Sequence, residues 1–144
     1  MSRAIMPLTR RFVVALWLVG IASFAAAQDP NASAAQEAAR DWLLLTDRGD
    51  AQASWNAAGQ KFRAALPLAS WIDALQKQRA PLGPVASRAV TKTGFQRTFP
   101  GAPEGDYALV TLVTSFANKP TGRETVTLER EGDGQWRVVG YDIH

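Results

Sequence analysis

Two kinds of hydrophobic spacing meet at Pro81-Leu82-Gly83-Pro84. Before that point large apolar residues recur at intervals of three and four; after it they alternate. The chain changes period once, so helices come first and strands follow. That order implies an α+β fold, not interleaved strand–helix–strand units.

In the helical half, Ser33-Ala34-Ala35-Gln36 has capping-box spacing. Ala35, Ala38, Trp42 and Leu45 then fall on one face of a helix that Gly49 stops. Asp50 can cap a second helix, where Trp55, Ala58, Phe62 and Leu66 recur, with a bend at Gly59 and an end at Pro67. A third helix carries Leu68, Trp71, Ile72 and Leu75 on one side, opposite Asp73, Gln76, Lys77 and Arg79.

In the second half, residues 85–95 read as a strand with Val85, Ala89 and Thr91 on one face and Arg88 and Lys92 on the other, solvated one. Residues 99–105 are a loop by composition. Residues 107–116 are apolar on both faces, which predicts a central strand covered on both sides. A turn is expected over 118–122. Residues 124–130 alternate, with Val126 and Leu128 inward and Thr125, Thr127 and Glu129 outward. Glu131-Gly132-Asp133-Gly134 makes a hairpin before a last strand over 135–143. Connections this short give an antiparallel meander. The expected fold is α+β, with about three N-terminal helices packed on a curved four-stranded antiparallel sheet.

The N-terminus carries a different signal. Arg3, Arg10 and Arg11 precede an apolar run over 12–24, and Ala25-Ala26-Ala27 supplies small residues. That is the order of a secretory signal peptide cut between Ala27 and Gln28. The run is shorter than the roughly 20 apolar residues of a spanning helix. Thr9-Arg10-Arg11 is reminiscent of a twin-arginine signal, and the Sec and twin-arginine routes both stay open. The expected organisation is a signal peptide over 1–27, a flexible entry over 28–34 and a single α+β domain over 35–144, exported to the periplasm. Asn31-Ala32-Ser33 fits a glycosylation sequon but serves better as the way into a helix.

Removing the signal changes the charge argument. The chain has sixteen Lys and Arg against thirteen Asp and Glu. Three of the arginines lie in 1–27 and none of the acids does, leaving thirteen of each. Nucleic-acid binding needs a concentrated cationic face, which a neutral chain with scattered charges lacks. No cysteine is present, so neither a disulfide nor a lipid-modified cysteine is available, and apolar burial must hold the domain.

The catalytic inventory is thin. His144 is the one histidine, which argues against a histidine-based triad or metal site, and no glycine-rich phosphate loop precedes a helix. No cofactor is expected. Asp106 beside Tyr107, and Tyr141 beside Asp142, are the carboxylate–phenol neighbours that acid–base chemistry would use. Adjacent strand residues point to opposite faces, however. Trp42, Trp55 and Trp71 sit on the apolar stripes of successive helices, as core residues do. The candidate pocket residues are Trp55, Phe62, Trp71, Tyr107, Trp136 and Tyr141.

Several stretches, taken in order, resemble a known family. They are Trp42-Leu43 with Asp47-Arg48-Gly49-Asp50, Ser54-Trp55-Asn56-Ala57-Ala58 leading to Phe62-Arg63, Arg79-Ala80-Pro81-Leu82-Gly83, Ser87-Arg88, the run Pro100-Gly101-Ala102-Pro103-Glu104-Gly105-Asp106-Tyr107, Phe116-Ala117-Asn118-Lys119, Glu124-Thr125-Val126-Thr127 and Trp136-Arg137-Val138-Val139-Gly140-Tyr141. Their order and spacing resemble the bacterial exported family called domain of unknown function number 4019. The resemblance implies a bacterial, periplasmic protein and no activity. At the level of fold, helices feeding a curved sheet are similar to the nuclear transport factor 2-like and cystatin-like folds. Those folds often hold a pocket between helices and sheet and often dimerise through the sheet.

Three functions are compatible with these features. The first is a non-catalytic periplasmic module binding a small apolar ligand or an envelope protein. The second is an acid–base enzyme of isomerase or dehydratase type, using a pocket Asp and Tyr. The third is a structural homodimer.

Overall fold

A computed structural model describes residues 29–144. The expected signal peptide and its cut between Ala27 and Gln28 lie outside the described residues.

Helix α1 spans Pro30–Asp47. Proline at a first helical position loses no hydrogen bond, and the Asp29 side chain caps the turn by accepting from the Asn31 amide at 2.9 Å. The helix therefore begins ahead of Ser33, and the entry expected to be flexible over 28–34 is helical from Pro30 onward. Gly49, at φ 70°, ends α1. Asp50 caps α2 (Ala51–Ala57), its carboxylate accepting from the Ala53 amide at 2.9 Å.

The second expected helix is two helices, α2 and α3 (Gln60–Ala65). Between them Ala58 and Gly59 are extended, and the Gly59 amide donates to the Val138 carbonyl at 2.7 Å. A Cβ at Gly59 would stand 3.2 Å from that carbonyl oxygen. The helix breaks because the chain must touch the last strand there. Helix α4 (Leu68–Ala74) runs into a π-helical turn, Leu75–Arg79, and a 3₁₀ turn, Ala80–Leu82, before Gly83 reverses the chain at φ 76°. There are thus four α-helices among the described residues, where three were expected.

The sheet is the expected antiparallel meander in the order β1-β2-β3-β4. Its strands are β1 (Val85–Gln96), β2 (Tyr107–Phe116), β3 (Lys119–Arg130) and β4 (Trp136–Ile143). Strand β3 begins where a turn was expected, because Phe116 pairs with Lys119 across a tighter turn. Strand β2 buries Ala108, Val110, Leu112, Thr114 and Phe116 on the helix side. Its outer face is open at Val113, 47 % exposed, so β2 is central but not covered on both sides along its length. Register shifts interrupt β1 between Val90 and Lys92, and β4 where Val139 stands as an extra residue opposite the Thr127–Leu128 step. Each shift changes which residues face inward.

The core fills the space between the helices and the inner face of the sheet. Trp42 stacks on Trp71 at 5.5 Å and meets Phe62 and Tyr141 edge-on at 5.8 and 5.2 Å. The buried indole N–H groups are satisfied at one residue: Trp42 Nε1 donates to the Ser54 carbonyl at 2.8 Å and Trp71 Nε1 to the Ser54 hydroxyl at 2.9 Å.

Candidate functional site

Beneath that aromatic cluster each strand contributes one polar side chain to a row across the inner face. These are Arg88 from β1, Thr114 from β2, Glu124 from β3 and Tyr141 from β4. Glu124 is completely buried and stands at the centre. Arg88 donates to it through Nε at 2.8 Å and Nη2 at 3.2 Å, and the hydroxyls of Thr114 and Tyr141 donate to it as well. The helices close the row from above. Asp47, at the end of α1, accepts from Arg88 at 2.7 and 3.0 Å and from Arg79 at 3.1 Å. Arg79 also donates to the Gly83 carbonyl at 2.7 Å and lies over the Phe116 ring at 4.7 Å.

Two guanidinium groups thus face two carboxylates in a low-dielectric layer, each carboxylate oxygen being occupied. The environment shifts the titrating groups accordingly. Burial, and then the Glu124 charge, push the Tyr141 phenol far above its ordinary value. Burial alone would lower Arg88, but its bonds to Asp47 and Glu124 outweigh that and hold it protonated above its ordinary value.

Simple alternation along β1 puts Arg88 and Lys92 together on a solvated face. The shift at Thr91 separates them: Arg88 and Val90 point inward opposite Thr114 and Leu112, while Lys92 is exposed. Glu124 was missed, although it has the same parity as the inward Val126 and Leu128. The alternation itself places it inside. Asp47 and Arg79 come from distant helix ends, and no local pattern brings them together.

A cleft of about 300 Å³ opens beside this row. Its walls are Phe62 from α3 and Leu66 just after it, Trp71 from α4, Leu75 and Arg79 from the π-turn and the stretch 139–143 of β4, with Tyr141 touching both cleft and row. Of the six candidate pocket residues, Phe62, Trp71 and Tyr141 meet here. Trp55 does not; its indole donates to the Leu66 carbonyl at 2.8 Å. Tyr107 lies on the other side of the sheet under the β1–β2 loop, donating to the Pro103 carbonyl at 2.7 Å and meeting Phe99 edge-on. Trp136 packs against Phe95 at the far end of β4.

The carboxylates considered for acid–base work stand elsewhere. Asp106 is held by Arg97 and Arg130 at 2.6 and 3.1 Å on the surface, and Asp142 is exposed. Among the described residues no group of three or more His, Cys, Asp or Glu could hold a metal ion, and no helix is long and apolar enough to cross a membrane.

The model of a family described as "Protein of unknown function (DUF4019)" matches residues 38–141, and the chain belongs to that family. No curated protein matches it. A solved structure from Catenulispora acidiphila, of which 88 % is covered, aligns over 78 % of this chain at 13 % identity with a TM-score of 0.49.

Proposed function

We propose that this member of the DUF4019 family is an exported, non-catalytic binding module. In this reading residues 1–27 are removed on export, and the cleft beside Tyr141 receives an apolar group from a small ligand or a partner protein in the periplasm.

The cleft is the observation that carries the reading. Its walls combine the apolar side chains of Phe62, Leu66, Trp71 and Leu75 with the polar ones of Gln78, Arg79, Tyr141 and Asp142, an apolar surface with a few convergent polar groups of the kind that binding sites present. The π-helical turn supports it as well. Such turns place residues off the regular helical stripe and occur often at functional sites; here the turn directs Leu75 and Arg79 to the cleft. Tyr141 and Glu124 are the acid–base pair nearest the opening. Glu124 is already engaged by Arg88, Thr114 and Tyr141, so it favours a fixed scaffold over a carboxylate released to move protons.

The test starts from the chain expressed from Met1 and purified as the cell leaves it. N-terminal sequencing is expected to give Gln28 first, from the periplasmic fraction. Titration with the neutral fluorophore 1-N-phenylnaphthylamine is expected to saturate at one site. Ala74→Trp, which plugs the cleft wall, should weaken that binding at least tenfold while leaving the circular dichroism unchanged. Absence of dye binding would remove the reading.

A further inference from the structure

The cleft lies against an open strand edge. Tyr141 points to the helices and Asp142 to the outer face of the sheet, yet both line the same cleft. Residues on opposite faces of a strand share one cavity only where that cavity runs along the strand's edge. Strand β4 is terminal in the sheet, so β3 pairs with one side of it and the other side faces the cleft.

The backbone groups on that side follow from the ladder. Arg123 and His144 exchange both of their hydrogen bonds, at 3.0 and 2.8 Å. Antiparallel pairs alternate between bonded and non-bonded. Asp142 and Gly140 therefore bond to β3, and the N–H and C=O groups of Tyr141 and Ile143 point away from it. At the start of β4 the same edge is already used, by the Gly59 amide bonding to the Val138 carbonyl. Among the described residues the free stretch is 139–143, about 17 Å at the usual strand rise.

We propose that this edge binds an extended segment of a partner protein as a fifth strand, an apolar side chain of that segment filling the cleft and a basic neighbour facing Asp142. The proposal rests on the cleft being the binding site and names its occupant. Strand addition takes affinity from main-chain hydrogen bonds and specificity from pockets for alternate side chains. Both elements are present: two residues with unpaired edge groups, and an apolar recess flanked by Phe62, Trp71 and Leu75. Charge complementarity fixes the neighbouring residue. The residue of an added strand beside Tyr141 points into the recess, and the next, beside Asp142, points to the outer face. The Asp142 carboxylate is exposed and has no ion-pair or hydrogen-bond partner among the described residues, so a lysine or arginine is favoured there.

The probe is a capped seven-residue peptide alternating valine and lysine, titrated into isotope-labelled protein expressed from Met1 and purified as the cell leaves it. Binding is expected to slow amide exchange at Tyr141 and Ile143 and to displace the fluorophore. N-methylation of the peptide at the pairing positions should weaken binding at least tenfold, and glutamate in place of lysine several-fold, a preference that Asp142→Asn abolishes. Ile143→Pro removes one edge donor at a position where an edge strand tolerates proline. It should weaken peptide binding at least tenfold. Fluorophore binding without peptide binding, or an N-methylated peptide that binds equally well, overturns the added strand and leaves the apolar site standing. A protein that self-associates with these two amides already protected overturns it too, because a second copy then occupies the edge. Loss of both fluorophore and peptide binding removes the site itself.

Discussion

Asp47 and Arg88, 41 residues apart, form a two-pronged ion pair at 2.7 and 3.0 Å that joins the end of α1 to the first strand of the sheet. The same carboxylate accepts from Arg79 at 3.1 Å, so one side chain ties together the long helix, the π-turn and β1. Removing one member of a buried ion pair costs more than the pair contributes, because its partner stays buried and uncompensated. Asp47→Ala leaves Arg79 in that condition and takes from Arg88 one of its two carboxylates, the other being Glu124, and should lower the unfolding free energy by about 3 kcal/mol. The urea midpoint should fall with the slope unchanged, since the surface exposed on unfolding stays the same.

Tyr141 gives the fold an alkaline limit. Its phenol is held protonated in the native state by burial and by the Glu124 charge, above its ordinary value. The unfolded chain releases that proton near pH 10. Above this the native state binds more protons than the unfolded one, so stability falls as pH rises, and below it the contribution is complete. Chemical denaturation between pH 8 and 11 should show this decline. Tyr141→Phe should remove much of the slope while costing about 1–2 kcal/mol at pH 7 from the lost donor to Glu124.

The meander was legible because each strand keeps its period for long stretches and each connection is short. What escaped was phase. At Thr91 a single extra residue in β1 turned Arg88 inward while Lys92 stayed out, and alternation cannot register an insertion that the partner strand lacks. The break at Ala58-Gly59 escaped for a related reason. Trp55, Ala58, Phe62 and Leu66 have continuous helical spacing, and only the Val138 carbonyl, far away in sequence, explains why the chain extends there. Phe62 and Trp71 were legible as cleft candidates because large apolar stripes converge under a helix pair. Glu124 was legible in principle, from the same parity that placed Val126 and Leu128 inside, but a charged residue reads as solvated until its partners are known.

Gly122 is required by contact, not by backbone angle. A Cβ there would stand 2.8 Å from the Thr114 carbonyl oxygen and 2.9 Å from the Phe116 ring. Neither can retreat easily: Phe116 lies against Arg79, and the Thr114 hydroxyl is engaged with Glu124. Gly122→Ala should therefore destabilise by about 1–3 kcal/mol through overpacking, although alanine is usually the better residue for order. Thermal unfolding checks the sign, and an unchanged or raised midpoint would mean that Phe116 can move aside.

Ser54 links two helices through one hydroxyl. Its Oγ donates to the Asp50 carbonyl at 2.7 Å, within reach of the Ala51 carbonyl as well, and accepts from Trp71 Nε1 at 2.9 Å. Its own carbonyl accepts from Trp42 Nε1, a bond that substitution of the side chain preserves. Ser54→Ala thus orphans one buried indole N–H and leaves the other satisfied. The expected loss is about 1–2 kcal/mol, reduced by about 0.5 kcal/mol from the better helix propensity of alanine. Trp71→Phe removes the donor together with part of the ring, so the useful quantity is the coupling between the two substitutions. In a double-mutant cycle by urea denaturation it should be about 1 kcal/mol. A coupling of zero would mean that the hydroxyl serves only the α2 carbonyls, and that α2 and α4 are held together by ring packing alone.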